Sequence, residues 1–250
     1  VSLRMESTWQ KGTNRLTNEV EVDKRFTDWF PGAYLSYRFN EKTNVNLQYS
    51  RSINRPSFGQ LANYKRRSSS VLYGAGNPDL QPGYTDNVQL ELGYGNHSLT
   101  YSVAYAKDRI TSVFEVIDGK TYMTPKNYGT LTEHDLNYYY NGKILPWWTT
   151  NASIGVSYLY MPKNYRVKSK WVNSGRWSNY LSFDKIGNFD ISMNYSTDRL
   201  ADYMIFKGYW KMDVSYNRSF LKKQLTVRIG VRDLFNTYKN IVDQRTPVLA

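Results

Sequence analysis

The chain has 250 residues, no Cys, and 33 Lys and Arg against 21 Asp and Glu, a net charge of +12. Without Cys it has neither a disulfide scaffold nor a thiolate metal site, and a 40% hydrophobic fraction argues against a wholly disordered chain. No stretch approaches the roughly 20 continuous apolar residues of a membrane-spanning helix, yet 23 Tyr, 10 Phe and 7 Trp coexist with a mean hydropathy of −0.64. Val1 is not an initiator Met and nothing near it resembles a signal peptide, so the sequence is expected to begin inside a longer protein.

Alternation organises nearly the whole chain. After a first strand over residues 1–9, Leu35, Tyr37 and Phe39 alternate with Ser36 and Arg38, and Val45, Leu47 and Tyr49 with Asn46 and Gln48. Val88, Leu90, Leu92 and Tyr94 share one parity, while Gln89, Glu91 and Gly93 share the other. Leu99, Tyr101, Val103 and Tyr105 follow, then Leu136, Tyr138 and Tyr140, then Ala152, Ile154, Val156 and Tyr158. A weaker run covers 177–183. Phe189, Ile191, Met193 and Tyr195 come next, then Trp210, Met212, Val214 and Tyr216, and finally Leu225, Val227, Ile229 and Val231. A strand sends successive side chains to opposite faces, so each run has one apolar and one polar face. Charges such as Arg38, Glu91, Asp190, Lys211, Asp213 and Arg228 fall on the polar parity. The reading predicts an all-β chain of about eleven strands, roughly ten residues each.

The predicted connections alternate in length. Short turns rich in Gly, Asn and Lys lie at 40–43, 95–97, 185–188 and 221–224. Long polar connections are expected at about 10–29, 55–83, 118–128, 161–175 and 199–208. Short turns at one end and long loops at the other describe an up-and-down antiparallel sheet of the outer-membrane kind, apolar outside and polar inside. That architecture removes the conflict between aromatics and hydropathy, because half of each strand faces water. Trp147 and Trp148 fall at the short-turn end, and Tyr49, Tyr158, Tyr160 and Tyr195 toward the long-loop end, as two interfacial girdles would require.

Four runs are more specific. Arg51-Ser-Ile-Asn-Arg-Pro-Ser-Phe-Gly-Gln-Leu61 is followed by Gly76-Asn-Pro-Asp-Leu-Gln-Pro82 and by a strand start at Tyr84-Thr-Asp-Asn-Val-Gln-Leu90. Together with Val231-Arg-Asp-Leu-Phe-Asn236, these runs resemble the β-barrel of TonB-dependent outer-membrane receptors, in the version common in Bacteroidetes. The resemblance implies a 22-stranded transmembrane barrel with a plug domain inside. It makes residues 1–250 the C-terminal half of that barrel, with the plug domain and the last strand outside this sequence. It also implies energy-coupled uptake of a scarce solute in the bacterial outer membrane. The expected partners are outer-membrane lipids, the transported solute and, through the missing N-terminal part, the TonB complex.

No enzymatic activity and no cofactor are expected. His97 and His134 are the only histidines and lie far apart in sequence, and Gly74-Ala-Gly76 precedes no helical pattern. A basic chain rich in aromatics could bind nucleic acid, but these aromatics follow the lipid-side parity, so no nucleic-acid partner is expected. Basic residues cluster instead in two long connections, Lys65-Arg-Arg67 and Lys163 to Arg176. Aromatic and guanidinium groups there could hold sugars, planar ligands or anions, and Tyr64, Arg66, Arg166 and Trp171 are the candidate substrate-binding residues. The shared Gly76 to Pro82 run is expected to shape its loop rather than to read a ligand. Two other readings stand beside uptake: a passive porin or structural barrel, and a soluble all-β carbohydrate-binding module.

Overall fold

The computed structural model of the chain describes residues 1–13, 15, 18–62, 65–160, 170–201, 204–244 and 248–249. Among the described residues, eleven strands form one antiparallel sheet: β1 Ser2–Thr13, β2 Val20–Arg38, β3 Thr43–Asn54, β4 Gly83–Tyr94, β5 His97–Lys107, β6 Thr130–Leu145, β7 Trp148–Tyr160, β8 Lys170–Phe183, β9 Gly187–Ser196, β10 Tyr209–Phe220 and β11 Leu225–Val231. Each pairs with the next in sequence order, so the sheet is purely up-and-down. Among the described residues the only α-helix is a single turn, Phe58–Leu61.

Register carries the predicted parity across the sheet. Leu35 opposes Leu47, Leu47 opposes Leu90, Leu90 opposes Tyr101, Tyr101 opposes Leu136, and Leu136 opposes Val156. These residues share one face, which we call outer. Val88, Leu92 and Ile154 on it are 46%, 45% and 60% exposed, so no second sheet packs there. The polar parity is the less exposed one in most strands. That inverts the usual pattern of a water-soluble sheet and is what curvature around the polar side produces. Buried apolar side chains are accordingly few, and Val22, Leu61 and Leu80 form one small cluster with Ile110 against it.

The two aromatic groups lie where the strands end. At the short-turn end Trp147 stacks on Trp148 and on Phe183, Phe183 meets Phe189 edge-on, and Phe189 lies 5.0 Å from Tyr216. At the other end Tyr158 lies 4.6 Å from Trp171. Three indoles hydrogen-bond within the sheet: Trp9 Nε1 donates to Asp23 Oδ1 (2.7 Å), Trp148 Nε1 to Asn179 Oδ1 (2.8 Å) and Trp177 Nε1 to Thr150 Oγ1 (2.9 Å). Thr150 and Asn179 have outer-face parity but are 4% and 7% exposed. Each polar atom thus gains a partner where lipid would offer none.

The connections depart from the sequence reading in three places. The expected 10–29 connection is mostly strand: β1 runs to Thr13 and β2 starts at Val20. Here Val22, Phe26 and Phe30 take the inner parity and are buried, so the charges between them masked a real alternation. The expected 161–175 loop ends sooner, because β8 begins at Lys170. Residues Ile110–Ile117 and Lys120–Asn127 form an unpredicted hairpin. It joins Leu72–Ala75 and Lys65–Arg67 of the 55–82 connection in a separate sheet, with Leu72 paired in parallel to Thr121. The short turns fall close to their predicted positions, and Gly95 adopts a left-handed φ of +57° in the two-residue β4–β5 turn.

Candidate solute-binding face

The receptor-like motifs are scaffolding in this structure. Among the described residues Pro56, Leu61 and Leu80 are the largest fully buried side chains, and Leu61 and Leu80 close the small core at the long-loop end. Ser57 and Gln60 form a capping box on the Phe58–Leu61 turn. Gly76 lies against that turn, since a Cβ there would sit 1.9 Å from the Ala62 carbonyl oxygen. Asn77 spends its groups locally. Its backbone N–H donates to Gln60 O (2.7 Å), its Nδ2 to Pro125 O (3.0 Å), and its Oδ1 accepts from Asp79 N (3.0 Å).

Beneath this loop lies a charged node. Arg55 Nη1 donates to Glu6 Oε2 (2.9 Å) and Nη2 to Asp28 Oδ2 (3.1 Å), while the Tyr84 hydroxyl donates to Asp28 Oδ1 (2.5 Å). The Arg55 guanidinium also lies 5.9 Å from the Phe30 ring centroid. One side chain therefore ties β1 and β2 to the start of the 55–82 connection, and Tyr84 ties in β4.

The Val231-Arg-Asp-Leu-Phe-Asn236 run bends the chain back after β11. Asp233 and Asn236 adopt φ of +49° and +51°, which Asp and Asn tolerate. The Asp233 carboxylate accepts from the Thr237 and Tyr238 N–H groups, and its own N–H donates to Asp213 Oδ1. This turn carries Tyr238 to Tyr209, where the rings meet edge-to-face at 5.0 Å.

Tyr209 and Tyr238 border a cavity of about 630 Å³ that the inner-face residues Asn137, Tyr139, Ser153 and Arg176 also line. Arg199, Lys207 and Lys239 add three more cations. Lys207 pairs with Asp198 (3.3 Å), but among the described residues Arg176, Arg199 and Lys239 have no carboxylate partner. Asp198 also accepts from the Gly208 N–H (2.7 Å) and lies 3.6 Å from Lys170. The Gly208 bond is the main cause holding its carboxyl below the usual carboxylate range, with Lys207 and Lys170 adding to it. Unpaired cations beside aromatic rings and hydroxyls can hold an anionic, ring-bearing solute.

Of the four sequence candidates, the two described ones, Arg66 and Trp171, do not line this cavity. Tyr64 and Arg166 lie outside the described residues. Arg66 is exposed on the edge strand Lys65–Arg67 of the loop sheet. Beside it Tyr73 and Tyr122 lie 5.3 Å apart, with Lys65 over Tyr122 and Lys120 over Tyr73, each 5.5 Å from the ring centroid. Trp171 is on strand β8 rather than in a loop. It pairs with Tyr158 and so shares the outer face with Ile154 and Val156. The sequence reading missed Lys120 and Tyr122 because their hairpin was unpredicted, and it missed the cavity because the cavity joins residues from distant connections. Arg176 alone had been noted, as part of a basic cluster.

His97 and His134 are both tied to tyrosines, His97 Nδ1 to Tyr138 Oη (2.7 Å) and His134 Nδ1 to Tyr101 Oη (2.9 Å). Among the described residues no group of three His, Asp or Glu side chains is placed to hold a metal ion.

The fold has clear likenesses among solved structures. The siderophore receptor PirA of Pseudomonas aeruginosa superposes with a TM-score of 0.68 at 14% identity, over 94% of this chain and 45% of that one. The ferric enterobactin receptor PfeA of the same organism gives 0.64 at 15% identity, over 93% and 38%. The ferric-catecholate import receptor Fiu of E. coli K12 gives 0.58 at 15%, over 86% and 32%. The chain thus spans less than half the length of the receptors it resembles. No curated protein matches it by sequence. The family model described as outer membrane protein beta-barrel family matches residues 3–248. With nearly the whole chain matched and a sheet whose apolar face points outward, this chain belongs to the outer membrane protein β-barrel family and is a segment of an antiparallel barrel of the bacterial outer membrane.

Proposed function

We propose that the chain is the C-terminal half of the barrel of a TonB-dependent receptor of the Bacteroidetes type, and that the complete protein imports a scarce solute rather than catalysing a reaction. The plug domain and the TonB-contacting segment belong to the part of the protein before residue 1, and the closing strand to the part after residue 250. The observation that carries this reading is the asymmetry of the sheet. Its turns at one edge are two to four residues long, whereas the connections at the other fold into sheets of their own and carry the cation-lined cavity. A passive pore needs no such elaborated mouth. The likeness to three siderophore receptors supports the same reading.

In this scheme the solute is captured at the long-loop end. Tyr64, Arg66 and Arg166 are proposed contacts from the connections, joined by Arg176 and Arg199 at the cavity. Trp171, by its outer-face register, is assigned away from the solute path. Uptake of candidate solutes into cells with and without an uncoupler of the inner-membrane proton gradient tests the proposal. Energy-coupled uptake stops when the gradient collapses, and uptake that continued unchanged would establish a passive porin instead.

A further inference from the structure

We infer that the outer face carries a binding site for one outer-leaflet glycolipid, built around His134 and Trp171. A recess of about 400 Å³ opens on this face, with Leu136 and Val156 as apolar lining and Tyr101, His134, Tyr158 and Trp171 as ring walls. Register fixes the side of the sheet. Val103 opposes His134, His134 opposes Tyr158, and Tyr158 opposes Trp171, so all four lie on the face that bears Val88, Leu92 and Ile154. The recess is therefore continuous with the lipid-facing band, and a membrane lipid is the occupant that can reach it.

Its chemistry differs from a plain aromatic girdle. An imidazole on a lipid-facing strand needs hydrogen-bond partners, because unsatisfied polar groups are costly in hydrocarbon. His134 Nδ1 has the Tyr101 hydroxyl at 2.9 Å. Its Nε2 has no partner among the described residues. Trp171 is 62% exposed, and its ring is inclined 39° to Tyr158 at 4.6 Å, which leaves much of the indole uncovered. A bare indole face and a free ring nitrogen on either side of Tyr158 in one recess suit a sugar headgroup, with a C–H surface on the indole and a hydroxyl or phosphate on the nitrogen. Trp171 is the second residue of β8, and Tyr158 lies two residues from the end of β7, so the pair sits at headgroup level. The apolar lining below extends toward the membrane interior and receives an acyl chain.

The test uses the full-length protein, purified in detergent and stripped of lipid. It is titrated in native mass spectrometry with a bis-phosphorylated glucosamine lipid and, separately, with phosphatidylethanolamine. We expect one glycolipid copy to be retained at concentrations where phosphatidylethanolamine is not. Trp171→Leu should weaken that retention about tenfold, the upper range for one ring contact, and His134→Phe should weaken it similarly. Trp171→Tyr, which keeps a ring at an exposed position, should restore most of it and guards against loss through misfolding. Equal retention of the glycolipid by wild type and Trp171→Leu, or equal retention of the two lipids by wild type, would overturn the assignment.

Discussion

Replacing Arg55 with Ala tests whether the motif loop is held by charge or merely by packing. Arg55 makes two charge-assisted bonds, to Glu6 at 2.9 Å and Asp28 at 3.1 Å. The partners differ in what they lose. The Glu6 side chain is 34% exposed and has Arg4 at 3.1 Å, so it is rehydrated at little cost. The Asp28 side chain is 5% exposed and keeps only the Tyr84 hydroxyl as a strong donor. A hydrogen bond to a charged group contributes about 1.5–3 kcal/mol, and breaking a fully buried pair costs about 3–5 kcal/mol. Because Tyr84 stays, about 2–3 kcal/mol is expected. The double variant Arg55→Ala/Asp28→Asn removes the stranded charge, so it should be less destabilised than the sum of the single variants by about 1–2 kcal/mol. Denaturant titrations of the complete protein folded into bilayers measure all three, and limited proteolysis should show faster cleavage within 55–82 in Arg55→Ala. A single variant within about 0.5 kcal/mol of wild type, or strict additivity in the cycle, would refute the argument and leave packing by Pro56, Leu61 and Leu80 as the anchor.

Three further outcomes are expected. Val88→Arg or Ile154→Arg should cost roughly 2–4 kcal/mol in bilayer folding titrations if placed near the midplane, and Gln89→Arg far less; equal costs would contradict the assigned faces. Gly76→Ala should disorder the 55–82 connection, because its Cβ meets the Ala62 carbonyl at 1.9 Å, an overpacking cost of about 1–3 kcal/mol that faster proteolysis of that segment would report. Asp198 anchors the 197–208 connection with a depressed folded pKa. Its contribution is therefore complete above the unfolded value of about 3.9 and lost as pH falls through the lower folded value. Protease sensitivity of that connection should rise in this acid range, and Asp198→Asn should show the raised sensitivity at neutral pH with no further acid step.

The strands of the sheet were legible in the sequence because a period of two is a local property, and a curved sheet between lipid and water leaves the pattern undisturbed. Val88 to Tyr94 could be assigned its faces without knowing any neighbour. Eleven strands, their order and the girdle at Trp147 and Trp148 followed from that alternation and from loop length. The motifs at Arg55 and Asn77 were visible as motifs, but their work was not. That Arg55 binds Asp28, 27 positions away, or that Asn77 is consumed by Gln60 and Pro125, depends on which connections fold over one another. The hairpin at Ile110 to Asn127 was missed because its strands gain their stability from pairing with another connection rather than from a lipid-facing stripe. Trp171 shows the sharpest division. Its residue type suggested a ligand contact in a loop, and only register against Tyr158 put it on the outer face. Side-chain periodicity is encoded residue by residue, whereas the meeting of distant connections is decided by where the assembled sheet brings its loop ends together.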